Sequence, residues 1–168
     1  MRRLKTHDPY STVIDHFNRN SVCYVIVGMA GINYYASNAS EVFVTSDFDF
    51  LIKPTFTNVT KAIKTLERLY FQIGTATGIF KPEELKNIVR HQQTIVGTTT
   101  DGIMVELLLR VSGYSFSEME ADSTVFTAGD IPVRVGRLTK LLNSKRIAGR
   151  PKDRHFLKRY TSEKDSAS

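Results

Sequence analysis

The feature that most constrains the fold is an apolar run at residues 22–27, Val-Cys-Tyr-Val-Ile-Val. Its β-branched residues favour an extended backbone, and successive side chains of a strand point to opposite faces of a sheet. Because both sets of side chains are apolar here, both faces of the strand must be covered. The run therefore predicts a central strand in a sheet with helices packed on it, in the α/β or α+β class.

Periodicity and capping signals predict further elements around this strand. Asp8 followed by Pro9 is typical of a helix start, and Asp-Gly at residues 101–102 is typical of a hairpin turn. The pattern predicts a mixed sheet and a C-terminal pair of basic helices. The predicted helices cover residues 9–20, 30–37, a span from a cap at Thr57 or Asn58 to residue 70, 81–91, 138–148 and 151–160, and the predicted strands cover residues 22–27, 47–52, 94–98, 103–110, 125–127 and 131–135.

The length of 168 residues suits a single domain. We expect this domain to span residues 1–160. Residues 161–168 are rich in Ser and charged side chains, and for them we expect a disordered tail.

Composition excludes several classes of protein. The single cysteine, Cys23, excludes a disulfide framework and a thiolate zinc cluster. The longest apolar stretch, residues 22–32, is too short to cross a bilayer and is interrupted by Gly28 and Gly31. The basic start of the chain is followed by polar residues rather than an apolar segment, so we expect no secretion signal, no membrane partner and a cytoplasmic location.

The chain is basic, with 23 Lys and Arg against 17 Asp and Glu and a net charge of +6. A surplus of this kind indicates an anionic partner such as a nucleotide, a nucleic acid or an acidic lipid. Much of the positive charge lies between residues 140 and 159, in the two predicted C-terminal helices. This surface is either a solvated helix face or a guide for a polyanion.

Two acidic residues stand in the predicted strand 47–52, Asp-Phe-Asp-Phe-Leu-Ile. Strand alternation places Asp47 and Asp49 on one face and the two phenylalanines on the other. Two carboxylates this close repel each other unless a cation lies between them, and Mg²⁺ prefers such oxygen ligands. The alternative is a pair of solvated acids on an exposed face.

Glu106 is the single acid in the apolar run 103–109. An ionised Glu is seldom buried without a partner. If its strand lies beside that of Asp47 and Asp49, Glu106 completes a three-carboxylate site for two metal ions. The alternative is an ion pair between Glu106 and Arg110 or a C-terminal cation.

Residues 27–31, Val-Gly-Met-Ala-Gly, place a glycine turn between the central strand and the following helix. Glycine lets a backbone approach phosphate oxygens, and the N-terminus of a helix attracts anions. The spacing matches neither the P-loop nor the dinucleotide fingerprint. The turn at Gly28 is therefore a candidate phosphate contact that belongs to neither of these two motifs.

The combined order of these motifs resembles the DNA polymerase β-like nucleotidyltransferase superfamily. That order is strand, Gly turn, helix, loop, a Thr-x-Asp-x-Asp strand at residues 45–50, and a later strand with one acid. Residues 145–153, Lys-Arg-Ile-Ala-Gly-Arg-Pro-Lys-Asp, are similar to small bacterial members related to the abortive-infection toxins. The resemblance covers about residues 20–160 and implies a nucleotidyltransferase-like mixed sheet with a C-terminal helical pair.

The resemblance also implies roles for individual residues. Asp47 and Asp49 would bind catalytic Mg²⁺, and Glu106 would take the position of the third acid, where the family usually has Asp. The implied nucleotide-binding residues are Gly28, Met29, Lys145 and Arg150.

Among these residues, Gly28 would hold the nucleotide phosphates and Lys145 would project towards the triphosphate. Arg150, Lys152 and Asp153 would fix the junction between the two C-terminal helices, with Arg150 or Lys152 able to face the site.

The implied reaction is Mg²⁺-dependent transfer of a nucleoside monophosphate from a nucleoside triphosphate, such as ATP, with release of pyrophosphate. The acceptor is open between RNA such as tRNA, a protein and a small molecule. The alternative is a degenerate member that keeps the fold as an RNA-binding module or as the partner of an antitoxin-like protein. Met29 stands where the family commonly has Gly or Ser, and Phe43 stands where a basic residue is often found. These two departures favour the alternative, whereas convergence of the three carboxylates would favour the enzyme.

Overall fold

The computed structural model describes residues 8–166, with side chains described as far as residue 162. Over this part of the chain, seven α-helices and eight β-strands form a mixed α/β fold. The helices are α1 (Pro9–Arg19), α2 (Gly28–Asn33), α3 (Phe56–Arg68), α4 (Leu85–Arg90), α5 (Phe116–Ala121), α6 (Leu138–Ala148) and α7 (Pro151–Ser166), and the strands are β1 (Tyr24–Val27), β2 (Asp49–Ile52), β3 (Gln72–Thr75), β4 (Gly78–Ile79), β5 (Ile95–Thr98), β6 (Met104–Leu108), β7 (Thr124–Ala128) and β8 (Ile131–Val135).

The eight strands form one mixed sheet in the order β4-β3-β5-β6-β2-β1-β8-β7. Strand β1 lies antiparallel to β2 and parallel to β8, and β2 lies parallel to β6. The other neighbouring strands are antiparallel. The predicted mixed sheet is therefore confirmed, and the expected Asp-Gly hairpin joins β5 to β6.

Helices cover the central strands on both faces. On one face α1 contacts α3, and Phe17 of α1 packs against Phe50 of β2 with ring centroids 5.0 Å apart. On the other face α2 contacts α6, which in turn contacts α7. Each side chain of β1 is buried. The apolar run at residues 22–27 thus correctly predicts a central strand enclosed by helices.

The start of β1 is tied to the end of β2 by a side chain of α3. Asn58, which is 4% exposed, accepts a hydrogen bond from Cys23 N at 2.8 Å through Oδ1. Its Nδ2 donates to Cys23 O at 2.9 Å and to Lys53 O at 3.1 Å. Asn58 therefore satisfies backbone groups beyond the ends of both strands and fixes α3 against them.

Several boundaries differ from the predicted ones. Helix α3 is capped by Thr55, whose hydroxyl accepts a hydrogen bond from the N–H of Asn58, and not by Thr57 or Asn58. The side chain of Asn58 is engaged by the strands and so does not cap the helix. Helix α2 begins and ends earlier than the predicted span 30–37, because the chain becomes helical directly at its glycine turn.

The sequence pattern does not predict α5, β3 or β4. Helix α5 starts with a capping box, in which the side chains of Ser115 and Glu118 bond to each other's backbone N–H; this Ser-x-x-Glu signal is visible in the sequence. Strand β3 (Gln-Ile-Gly-Thr) contains one apolar side chain and a glycine, and β4 has only two residues, so neither shows an apolar pattern in the sequence. Helix α7 continues to Ser166, so residues 161–166 are helical rather than the predicted tail, and residues 167–168 lie outside the described part.

None of the helices within residues 8–166 is long and apolar enough to span a bilayer.

We expect Asn58→Ala to lower the free energy of unfolding by about 2–4 kcal/mol. The substitution leaves the N–H of Cys23 unsatisfied, at about 1–3 kcal/mol, and removes one of the two hydrogen bonds that the carbonyl of Lys53 accepts, at about 1 kcal/mol. Urea denaturation followed by circular dichroism measures the loss. Asn87→Ala makes the same change on the exposed side of α4 and serves as the control. Equal losses in the two variants would contradict the role of Asn58.

Candidate active site

The candidate site lies where β2 begins, between the end of β1 and the middle of β6. The strand register places Val27 opposite Asp49, and Asp49 opposite Glu106. Residues in register on neighbouring strands point to the same face of a sheet, so the two carboxylates project side by side. The expectation that the strand of Glu106 lies beside that of Asp49 is therefore confirmed.

Asp49 is held in an environment that disfavours its charge. Its Oδ1 is buried and, among the described residues, has no hydrogen-bond partner. Burial, the charge of Glu106, a hydrogen bond between the two carboxyl groups and the charge of Asp47 raise the pKa of Asp49 to about 7, and the charge of Lys145 opposes this shift. This carboxyl group is therefore only partly ionised at neutral pH, and a cation between the two acids would favour its charged form.

Gly28 carries the chain from β1 into α2 directly beside Asp49. Its φ is +67°, a left-handed conformation that glycine adopts without strain. A Cβ atom at this position would collide with Oδ2 of Asp49. The predicted glycine turn is therefore present, and its observed role is to leave space for the Asp49 carboxylate. Its contact with phosphate stays a prediction.

The opposite wall of the site is the junction of α6 and α7. Helix α6 ends at Gly149 in a left-handed conformation, with φ of 61°, and Pro151 starts α7. Asp153, which is 1% exposed, accepts a hydrogen bond from Arg150 Nε at 2.7 Å. Its carboxylate also pairs with Lys145 Nζ at 3.6 Å. Arg150 and Asp153 thus tie the junction together, as the resemblance implies, whereas Lys152 lines a different cavity.

Lys145 faces the acids from this junction. Burial lowers the pKa of its ammonium group, and the charges of Asp153 and Asp49 oppose that shift. The ring of Phe156 lies under the ammonium, with Nζ 5.0 Å from the ring centroid. Lys145 therefore supplies a shielded positive charge close to the acidic pair.

Between the two walls lies an open cleft of about 570 Å³, which is large enough for a nucleotide. It brings together four of the predicted site residues, Gly28, Asp49, Lys145 and Arg150.

Three further polar residues line the cleft without having been assigned to it by sequence reasoning: Arg110, Ser112 and Ser144. The hydroxyl of Ser144 donates to Ser112 O at 2.8 Å and joins α6 to the segment after β6. These residues meet only through tertiary packing, and no local signal marks them. Arg110 is a sequence candidate for an ion pair with Glu106, but among the described residues Glu106 forms no ion pair.

The predicted convergence of three carboxylates is not observed. Strand β2 begins only at Asp49, and Asp47 lies in the preceding loop, where the hydroxyl of Thr45 bonds to both its N–H and its carbonyl at 3.2 Å. Across residues 8–162, no three His, Cys, Asp or Glu side chains form a group that could hold a metal ion. Asp49 and Glu106 therefore form a two-carboxylate site, and a ligand role for Asp47 stays a prediction.

Met29 lines a second cavity of about 320 Å³, which we call the α7 groove. The groove lies between the loop at residues 40–44 and α7. Asn33 holds the backbone of Phe43 through two hydrogen bonds of 2.9 Å, and the Phe43 ring packs against Phe156 with centroids 4.8 Å apart. Three cationic or titratable side chains complete the lining: Lys152, His155 and Arg159.

No protein-family model fits the chain, and a search of curated proteins finds no relative. Any proposal about function therefore depends on the residues of the cleft and the groove.

The environment of Asp49 predicts a stability that falls as the pH rises. Because its folded-state pKa lies above the unfolded value of about 4, the folded protein holds a proton that the unfolded chain loses between about pH 4 and pH 7. We expect Asp49→Asn to raise the melting temperature at pH 8 in EDTA and to change it little at pH 4. Asp130→Asn, at the exposed β7–β8 turn, is the control. A gain of the same size at both pH values would contradict the assignment.

Proposed function

We propose that the protein is a Mg²⁺-dependent nucleotidyltransferase, which moves a nucleoside monophosphate from a nucleoside triphosphate such as ATP to an acceptor oxygen. The observation that carries the proposal is Asp49, which lines the cleft together with Lys145 and lies in register with Glu106 on the neighbouring strand. Adjacent carboxylates attract a divalent cation, and a shielded ammonium attracts phosphate. A Mg²⁺–nucleotide complex combines both partners.

The donor set of the cleft fits Mg²⁺ bound together with a substrate. Mg²⁺ is usually held by one or two carboxylates, substrate phosphates and water rather than by an all-protein cage. Asp49, with one enclosed oxygen that no described group satisfies, and Glu106 provide two such carboxylates. Bound there, Mg²⁺ would reduce the negative charge of the phosphate oxygens and make the α-phosphorus open to attack.

The residues of the chain would bind and orient the nucleotide. Lys145 and Arg150 would bind the two phosphates that leave as pyrophosphate, because both line the cleft on the wall opposite Asp49. The acceptor oxygen would then form its bond to the α-phosphorus as the bond from that phosphorus to the bridging oxygen breaks. Holding the reacting groups in line is a large part of such catalysis.

We expect Asp49→Asn and Glu106→Gln each to weaken Mg²⁺-dependent ATP binding at least about tenfold, because each removes one anionic ligand of the cation. Isothermal titration calorimetry with and without Mg²⁺ measures the effect. Asp130→Asn and Glu67→Gln make the same chemical changes at exposed positions and serve as matched controls. Unchanged Mg²⁺–ATP affinity in both site variants would overturn the assignment of the site.

One observation favours the alternative function, a binding module without catalysis. Over the described side chains the site has two acids rather than the three that two metal ions would use. Incubation with labelled nucleoside triphosphates, Mg²⁺ and bulk tRNA, or with the protein itself as acceptor, distinguishes the two functions. Transfer of label that Asp49→Asn abolishes supports the enzyme. Nucleotide or RNA binding without transfer supports the module, whether it acts alone or with an antitoxin-like partner.

The α7 groove favours a polyanionic acceptor such as RNA over a protein or a small molecule. The partly exposed ring of Phe43 lies beside cationic side chains in this groove, with the Arg159 guanidinium 5.8 Å from its centroid, whereas the ring of Phe156 is buried. Aromatic surfaces that stack with bases, together with cations that contact phosphates, are typical of sites for single-stranded nucleic acid. The exposed side of α7 adds further positive charge next to the groove, from Arg154 and Lys158.

We expect the double substitution Lys152→Glu and Lys158→Glu to weaken binding of single-stranded RNA at least about tenfold at low salt and to reduce the dependence of binding on salt. Fluorescence anisotropy with a labelled oligonucleotide measures both effects. Lys61→Glu with Lys64→Glu on α3 produces the same change of net charge away from the groove. RNA binding that is equally sensitive in both double variants would show general charge attraction and contradict the groove as the RNA site.

A further inference from the structure

The ion cluster at the junction of α6 and α7 points to a role for a residue outside the cleft. We propose that Asp153 is a positioning residue, which holds Lys145 and Arg150 together so that both can bind the polyphosphate chain of the nucleotide. The identity of the ligand rests on the proposed function. The role of Asp153 itself rests on the geometry of the cluster.

The first observation is the burial of Asp153 between two cations. Its side chain is 1% exposed, and its carboxylate lies 2.7 Å from Arg150 Nε, 3.4 Å from Arg150 Nη2 and 3.6 Å from Lys145 Nζ. A carboxylate removed from water is tolerated when it is paired and hydrogen-bonded. Both carboxylate oxygens are therefore engaged. Oδ2 accepts a hydrogen bond from Arg150 Nε, whereas Oδ1 accepts one from Arg150 Nη2 and lies near Lys145 Nζ.

The second observation is that the two cations line the cleft, whereas Asp153 is not among the described residues that line it. The side chain of Arg150 is 59% exposed, so solvent would leave it free to adopt many conformations. Its bonds to Asp153 occupy two of the five N–H donors of the guanidinium group, and the remaining donors are available to a ligand.

The third observation concerns repulsion within the cluster. The charge of Arg150 acts on Lys145 and disfavours its protonated form, while Asp153 favours it. Without the carboxylate, the two cations would repel each other, and Lys145 would be left to the attraction of Asp49. Asp153 thus keeps the cationic wall apart from the acidic pair and preserves the space between them.

This role predicts that neutralising Asp153 changes the affinity for an anionic ligand in the direction opposite to that expected from simple electrostatics. Removing a negative charge near an anionic ligand should, by Coulomb's law alone, strengthen binding of that ligand. If Asp153 acts by placing Lys145 and Arg150, its neutralisation weakens binding instead. A merely structural tie between α6 and α7 would change stability without this loss of anion affinity.

The test uses inorganic tripolyphosphate in EDTA, so that no metal is involved, with binding measured by titration calorimetry well below the melting temperature. We expect Asp153→Asn to weaken binding at least about tenfold, and Asp153→Glu, which keeps the carboxylate, to restore most of the affinity. Asp130→Asn is the matched control and should bind like the unaltered protein. Equal or tighter binding by folded Asp153→Asn would overturn the proposal, as would the absence of tripolyphosphate binding by the unaltered protein.

Two further variants keep the result decisive. Should Asp153→Asn fail to fold, Arg150→Gln at the largely exposed neighbouring position gives the second measurement. It should weaken tripolyphosphate binding, and unchanged affinity would overturn the proposal.

Asp49→Asn should bind tripolyphosphate at least as tightly as the unaltered protein, because it removes a nearby negative charge. Absence of Mg²⁺–ATP binding or of nucleotidyl transfer in the unaltered protein, with tripolyphosphate binding intact, would count against the proposed function and not against Asp153.

Discussion

The contact on which the rest of the site depends is an unfavourable one, the placement of Asp49 beside Glu106. Backbone pairing imposes it, since Glu106 N donates to Phe48 O at 2.9 Å and the register continues into the buried pair Phe50 and Leu107. The core thus stabilises a pairing that brings two acids together. A local conflict of this kind, maintained by the surrounding structure, is typical of a functional site rather than of a site that only supports the fold.

The positive charges that balance these acids come from a different part of the chain. Lys145 is in the last turn of α6, and Arg150 is in the turn that Gly149 and Pro151 make possible. A cation near a helix C-terminus and a carboxylate in the first turn of the next helix are both favoured by the helix dipoles. The junction therefore stabilises its own charges, and it holds the cations facing the acidic pair instead of in contact with it.

Local signals account for what could be predicted from the sequence. The buried strand at residues 22–27, the start of α1 at Asp8 and the C-terminal pair of helices depend on periodicity and capping, which a short window contains. The adjacency of Asp49 and Glu106 depends on parallel pairing between strands that are distant in the sequence. The sequence alone does not show this pairing, so the adjacency could be predicted only if the two strands were assumed to be neighbours. Asp47 lies before β2 rather than in it, and the hydroxyl of Thr45 bonds to its backbone there, a local contact of the kind that competes with strand pairing. The meeting of Ser112 with Ser144 has no local signal at all.

Helix α7 links the cleft to the α7 groove. The ring of Phe156 contacts the ammonium of Lys145 on the side of the cleft and the ring of Phe43 on the side of the groove. Any movement of α7 would therefore change both cavities at once, and Asp153 fixes this helix at its first turn. If the cleft and the groove hold a nucleotide and its acceptor, as proposed, the two ligands need a set separation, because misplacement by about 1 Å is costly to the rate of transfer. A helix that lines the groove and also contacts Lys145 of the cleft would meet that requirement, because Asp153 and Phe156 connect the basic surface of α7 to the cleft.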